Sequence, residues 1–595
     1  MRRCACALLM VVLTTAAIGQ LGGPAANSPA TLRVGLWTLW HDKTITVSAG
    51  PGSTGPASTG LASTATLRTC GGCPPVPLKE TTQIRAAGGE LILPGNRKAA
   101  AVWISGTAAL AAHGESVNMQ YPIRISARNG ELVLAVTLPV ESYVERVLAS
   151  ESGSADGAES LKALAIVVRS FALHEKHGHA DYDLCDSTHC QLLHWGGASD
   201  RRASAHAATL ATAGETLWFH GQRAAAWFHQ NCGGRTASPQ EAWPAAKSHG
   251  EESRQPMPWL ISRADPYCTA KGAREWSTSV SLSDLTAALA TAGLARPGWT
   301  TLSVTRRGES GRAVMLQVGS ASVSAEDFRL AVGRAMGWGK ILSTWFEVSR
   351  QGDEFVFHGR GSGHGVGLCQ AGAAAMSALG HNSVQILEQY FPGAAVADEA
   401  TGLEWQTLPA QGFLLQTLTP GDAALLPQIS QAFAEAEARS GLQPAGAITI
   451  RAFRSTPAFR DATLAPGWVA AFTEGNFIAT QPLSTLASRK LLGPVLRHEF
   501  LHALVEGRAA GGTPLWLREG LVEAWADGKP GSSAAPMKLD EVDRALAHAV
   551  TEAQSESAHR AAAWYSQRLL DRYGQAQVVA WLRRGLPVSA IDAAR

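Results

Sequence analysis

The sequence has no surplus of either charge. Its 51 Lys and Arg stand against 49 Asp and Glu, for a net charge of +2, and no basic block runs along any segment. A nucleic-acid groove and an electrostatic membrane anchor are thereby excluded, while binding to a neutral or mixed polymer stays open. Past the N-terminus no apolar run approaches the roughly 20 uncharged residues that a bilayer span needs. There is no internal repeat. The glycine-rich stretch around His364 is not followed by the Lys-Ser/Thr pair of a phosphate-binding loop, so nucleotide binding has no support. Cysteine is sparse, with nine in 595 residues, and two of these, Cys4 and Cys6, fall in the N-terminal apolar run.

That run, within "MRRCACALLMVVLTTAAIGQLGG", follows two arginines and ends in small residues. It reads as a secretory signal over residues 1–26, and the expected product is an exported protein of the periplasm or cell envelope with no transmembrane segment beyond the signal. In an oxidising compartment some of the seven remaining cysteines should pair. Cys232 with Cys268 is the expected bridge, since both lie in short polar segments of one module. "CGGC" at Cys70–Cys73 reads as a tight disulfide, with a metal clip or a redox pair as alternatives.

A chain of this length requires about three structural units. From Thr31 to Leu138 short β-rich runs alternate with Gly, Pro and Ser, and Asn129-Gly130 between two apolar runs marks a hairpin turn. From Pro139 the period becomes helical: Leu161, Leu164, Ala165, Val168, Phe171 and Ala172 share one face of a helix over about 158–175. The Gly-, Ala- and Pro-rich run at 392–412 marks a domain boundary. Beyond it a helix near 424–440, strands at "AITIRAF" and "VAAFTEGNFIAT", and further helices give a strand-then-helix order. The fold class is therefore α+β and multidomain, with modules at 31–395 and 413–595 joined by a linker at 396–412.

Three segments of the first module are specific: "LPVESYVERVLASESGSADGAESLKALAIVVRSFAL" (138–173), "HADYDLCDSTHCQ" (179–191) and "GRGSGHGVGLCQAGAAAMSALG" (359–380). They resemble the SpoIID/LytB domain, over about 31–395 and ending in "YFPG" at 390–393. Members of that family are peptidoglycan lytic transglycosylases, and sporulation is one context in which they act. The resemblance implies Glu151 as the catalytic carboxylate, Lys162 and Arg169 as supporting, substrate-binding groups on the following helix, and His364 and Gln370 as polar groups toward the sugar. The chemistry is coherent: a carboxylic acid protonates the glycosidic oxygen, then acts as base while the sugar's own hydroxyl attacks, giving an anhydro product. Glu151 is followed by Ser-Gly where the family commonly has Met and Pro. An ordinary helix-terminal carboxylate and a packed, hydrogen-bonded histidine are the plain alternatives for Glu151 and His364. The loop glycines read as allowing close approach of backbone to sugar.

His179, Cys185, His189 and Cys190 crowd a dozen residues with side chains that zinc prefers. Some SpoIID proteins bind zinc in this region, with His179, Cys185 and Cys190 the expected ligands here. A Cys185–Cys190 disulfide is the competing reading.

"VLRHEFLHALVEG" at 495–507 carries H-E-x-x-H. On a helix His498 and His502 share a face and can hold one zinc ion, with Glu499 as base. "PLWLREGLVEAWA" (514–526) supplies Glu519 as third ligand and Glu523 one turn on, placed to support His498. This resembles the Trp-Leu-x-Glu-Gly of peptidase MA-like gluzincins, over roughly 440–580, and implies a zinc metallopeptidase acting on peptide or protein. The expected whole is a wall-remodelling enzyme acting on peptidoglycan glycan strands, with a second, zinc-dependent activity. The alternatives are a secreted zinc metallopeptidase whose SpoIID-like part only binds peptidoglycan, and a pair of non-catalytic wall-binding modules.

Overall fold

A computed structural model describes residues 30–594 apart from 51–64, 79, 154–155, 175–178, 197–200, 245–256, 271–273, 464, 466–468, 528–536 and 549–551. The segment read as an export signal, 1–26, lies outside the described residues. Among those described, no helix is long and apolar enough to cross a membrane. The chain is a multidomain α+β protein that divides into two units, one containing Asp42–Gly130 and Leu403–Arg595, the other Thr31–His41 and Glu131–Gly402.

In the first unit, the described elements of Asp42–Gly130 are strands, apart from a short 3-10 turn at Pro94–Asn96. An antiparallel sheet runs in the order Glu115–Met119, Ala108–Ala112, Thr44–Ala49, Thr82–Ala87, Glu90–Leu93, Arg97–Ala99. Alternation sends Ile45, Val47, Ile84 and Leu110 inward, each 1% exposed or less, which fixes the register. Cys70 and Cys73 are disulfide-bonded between the paired strands Thr66–Arg68 and Val76–Pro77. Asn129 and Gly130 both take positive φ, 53° and 82°. That conformation suits a tight hairpin and explains the Asn-Gly choice.

The Leu403–Arg595 part holds a mixed five-stranded sheet in the order Gln406–Ala410, Phe413–Thr417, Ile448–Ala452, Phe477–Thr480, Ala471–Glu474. Its central pairings are parallel and its outer ones antiparallel. The helices Leu426–Ser440, Leu492–Glu506, Leu515–Asp527 and Glu552–Tyr573 share one apolar core with the sheet, in which Phe413, Phe433 and Phe500 meet ring to ring. Gly520 is required by that packing, because a Cβ there would strike the Ala562 carbonyl.

In the second unit Thr31–Gly35 pairs antiparallel with Glu131–Pro139, which runs directly into the helix Val140–Glu151. Ala158–His174 follows, with Leu161, Leu164, Val168 and Phe171 buried as the period requires. The strand Glu215–Phe219 pairs with Ala395–Asp398, and Phe228–His229 runs parallel to Leu368–Cys369. Residues 275–360 form two three-stranded sheets and two helices around their own core, with Phe328, Phe346, Phe355 and Phe357 at its centre. Both helices there, Leu282–Thr291 and Ala325–Met336, start at a serine, Ser281 or Ser324, whose hydroxyl accepts a first-turn N–H.

Candidate functional sites

Glu151 is the last residue of the helix Val140–Glu151, so it is not the N-terminal carboxylate of the helix that follows. Its carboxylate accepts one backbone N–H, from Leu192 at 3.1 Å. Burial pushes the carboxyl up to about 7, against that single hydrogen bond. The chain on either side is pinned. His194 N–H donates to Ser150 Oγ at 2.9 Å, Gln370 Nε2 donates to the Glu151 carbonyl at 3.0 Å, and an Arg201 guanidinium N–H donates to the Ser152 carbonyl. Gln370 thus reaches the Glu151 backbone across 219 residues of sequence.

The 179–190 cluster stands just before this docking segment. His179 Nε2 lies 3.2 Å from Cys190 Sγ, while His189 Nδ1 lies 3.7 Å from Cys185 Sγ and 3.6 Å from Cys190 Sγ. All four donor atoms fall within 4.8 Å of one another, and both cysteines are free thiols. Two sulfurs and two imidazole nitrogens at this spacing fit a tetrahedral zinc ion, with His189 as the fourth ligand beside the expected three. Tyr143, fully buried, donates to Gln191 Oε1 at 2.9 Å and joins the cluster's end to the helix of Glu151.

The other residues expected to bind substrate are placed differently. Arg169 is fully buried, its guanidinium gripping Glu141 through Nε at 2.9 Å and Nη2 at 2.5 Å and donating from Nη1 to the Glu215 carbonyl at 3.0 Å. Its role is therefore to hold the fold together, since no face is left for a ligand. Lys162 pairs with Glu159 at 2.7 Å, and the other Glu159 oxygen accepts the Ser383 N–H at 2.8 Å. His364 is half-buried. Its Nδ1 accepts the Val366 N–H at 3.1 Å, and its ring lies 5.1 Å from Trp243 and 5.7 Å from His229, centre to centre. Gly365 and Gly367, at φ 87° and 72°, are needed for internal reasons: a Cβ would strike the Arg312 guanidinium or the Trp227 carbonyl. The expected Cys232–Cys268 disulfide is corrected: both are free thiols, grouped with Cys369 and Asp265.

In the Leu403–Arg595 part, the helix Leu492–Glu506 carries the H-E-x-x-H motif and Leu515–Asp527 carries Glu519. His498 Nε2 and His502 Nε2 are 3.1 Å apart, and Glu519 Oε2 is 3.8 Å from His502 Nε2. Two nitrogens and a carboxylate oxygen meeting about His502 fit a zinc ion's donor set. The set is looser than the two cysteine clusters, which are the groups whose donors all lie within 4.8 Å among the described residues. Glu499 is buried, accepts the Thr473 hydroxyl, and has its carboxyl raised by burial. Glu523 is also buried, and its charge helps to raise His559.

His559 is a member that sequence patterns did not indicate. It comes from the long helix Glu552–Tyr573, with Nε2 3.6 Å from Glu519 Oε2 and Nδ1 2.8 Å from the Ser555 carbonyl. Burial opposes its charge, but Glu519 outweighs it and lifts the imidazole to about 9. Glu519 in turn is held down at about 2, burial being outweighed by His502 and His559. A cavity of about 350 Å³ opens on the motif, lined by Glu499, His502, Glu506, Glu519 and the strand Ala471–Glu474. Among the described residues that strand is the last in its sheet.

Comparison with known proteins bears on the stretch of chain that holds the first of these sites. Residues 128–219 match the family model described as "Stage II sporulation protein", SpoIID, and residues 257–367 match a domain of unknown function, DUF8618. The chain is 26% identical over 273 residues to an uncharacterized protein of Brachyspira hyodysenteriae, covering 45% of this chain and 70% of that one. It is 23% identical over 277 residues to stage II sporulation protein D of Bacillus subtilis, covering 44% of this chain and 75% of that one. The segment that presents Glu151 thus lies within the stretch that matches the SpoIID family model.

Proposed function

We propose that the chain is an exported lytic transglycosylase that cuts peptidoglycan glycan strands with Glu151 as its acid and base. The observation that carries this reading is the state of the Glu151 carboxyl, which burial holds at about 7 while Leu192 N–H fixes one oxygen. A carboxyl poised near neutrality is protonated often enough to give its proton to the glycosidic oxygen, and basic enough afterwards to take one from the attacking sugar hydroxyl. The same group serves both half-steps. Gln370 and Ser150 keep the helix end still by binding the chain on either side. Lys162 and His364 are the remaining side chains through which the sugar would be met. Zinc at His179, Cys185, His189 and Cys190 would have a structural role, fixing residues 191–194, which orient Glu151.

A second activity, zinc-dependent peptide cleavage, is favoured by the cavity beside Ala471–Glu474, the last strand of its sheet among the described residues. An extended peptide can add to such a strand through its backbone. His498, His502 and Glu519 would hold the ion, which when bound supplies a Lewis acid for a carbonyl. Glu499, raised by burial and anchored by Thr473, would hold the proton taken from water.

The test is direct. Purified full-length protein is incubated with glycan strands, and products are separated by mass. Anhydro-muropeptides from wild type and none from Glu151→Gln support the proposal; their absence from wild type overturns it. A chelator-sensitive cleavage of a protein substrate, lost in Glu499→Gln, supports the second activity.

A further inference from the structure

In the unit that carries Glu151, three segments that no sequence motif connects converge on one buried point. Cys232 follows the strand Phe228–His229, Asp265 and Cys268 lie in the loop ahead of residue 275, and Cys369 precedes the helix Gln370–Ala378 as its cap. The three sulfurs and a carboxylate oxygen of Asp265 all lie within 4.8 Å of one another. Cys232, Asp265 and Cys369 are 0% exposed and Cys268 is 7%. A tetrahedron built on Zn–S bonds of about 2.3 Å has edges of about 3.8 Å, the scale of this group.

The surroundings suit sulfur that carries negative charge. Cys369 Sγ accepts the N–H of Cys232 at 3.2 Å and of Gly372 at 3.4 Å, and Cys232 Sγ accepts the Gly234 N–H at 3.3 Å. Asp265 is aimed by the Cys268 N–H at 3.0 Å on one oxygen and, on the other, by the Tyr390 hydroxyl at 2.9 Å, with the Cys232 sulfur 3.2 Å from that same oxygen. Hydrogen bonds of this kind commonly orient metal ligands. Gly372 is needed beside them, because a Cβ there would strike Tyr390 Oη and Asp265. Among the described residues no Lys, Arg or His pairs with Asp265. A buried carboxylate beside three thiols calls for a cation.

We propose that Cys232, Asp265, Cys268 and Cys369 form a closed structural zinc site, separate from the 179–190 cluster. Binding exchanges three thiol protons for one Zn²⁺ and transfers no electrons. The ion ties together three segments, and one of its ligands, Cys369, adjoins Gln370, which holds the Glu151 backbone.

The test uses full-length protein purified without chelator and kept from oxidants. Zinc is counted by elemental mass spectrometry, and each cysteine's alkylation by N-ethylmaleimide is followed by peptide mapping, without denaturant. Chelator should speed labelling of Cys232, Cys268 and Cys369 at least tenfold, a change that burial alone would not produce. Cys369→Ser should lose one zinc per chain, and Asp265→Cys, which keeps four ligands, should retain it. The wild-type mapping decides even where Cys369→Ser fails to fold. A Cys232–Cys268 linked peptide, labelling indifferent to chelator, or undiminished zinc in folded Cys369→Ser would overturn the site.

Discussion

Glu151 and Glu519 are both helix carboxylates withdrawn from water, one the last residue of Val140–Glu151 and the other inside Leu515–Asp527, and their surroundings drive them in opposite directions. Glu151 has one backbone N–H for company, and desolvation takes it to about 7. Glu519 is also withdrawn from water, but His502 and His559 outweigh that cost and hold it near 2. In the proposed reading the first exchanges a proton, and the second stays charged to receive a cation. Burial alone does not decide what a carboxylate does, because the nearest opposite charge sets the sign.

The sharpest way to break this comparison is Glu151→Gln, expected to lower anhydro-muropeptide release by roughly 10²–10⁴-fold, measured by product mass. His502→Ala should leave that activity unchanged. If both variants lose it equally, the two sites are not independent. Next, His502→Ala should lower bound zinc by one per chain, while Glu499→Gln keeps the metal and loses proteolysis; elemental analysis beside a peptide assay separates the two.

The pH response sharpens the first half. Above about 7 Glu151 loses its proton, so glycan cleavage should fall as pH rises through that value. The raised pKa also affects stability. The folded carboxyl keeps a proton that the unfolded chain releases above the ordinary glutamate value of 4.5, so its contribution is full below 4.5 and is lost as pH climbs through about 7. Glu151→Gln should therefore gain roughly 1–3 kcal/mol on wild type between pH 4.5 and 8, read from denaturant midpoints. The smallest expected effect is His559→Ala, which removes a cation beside Glu519 and should weaken zinc binding or proteolysis by about 10–100-fold without touching glycan cleavage.

Local structure was largely legible in the sequence. The expected helix over 158–175 is Ala158–His174, the helix near 424–440 is Leu426–Ser440, and the two β runs become Ile448–Ala452 and the hairpin of Ala471–Glu474 with Phe477–Thr480. Each of these carries its own period. The grouping of side chains was legible where a motif keeps its residues close, as in His498 with His502, or Cys185 with Cys190. It was hidden where the partners are distant. His559 sits 40 residues beyond Glu519 on a helix whose pattern only announces packing, and Cys232, Asp265 and Cys369 meet by tertiary folding alone. Arg169 shows the reverse: the pattern marked it, and only the buried fork with Glu141 reveals what it does.

The strand Glu215–Phe219 finds its partner in Ala395–Asp398, and the Glu151 backbone finds one of its donors in Gln370. A fragment trimmed to the family match at 128–219 would therefore keep the acid and lose what steadies it. Anyone shortening this protein for assay or crystallisation should carry the cut past residue 398, so that both of these partners stay with Glu151.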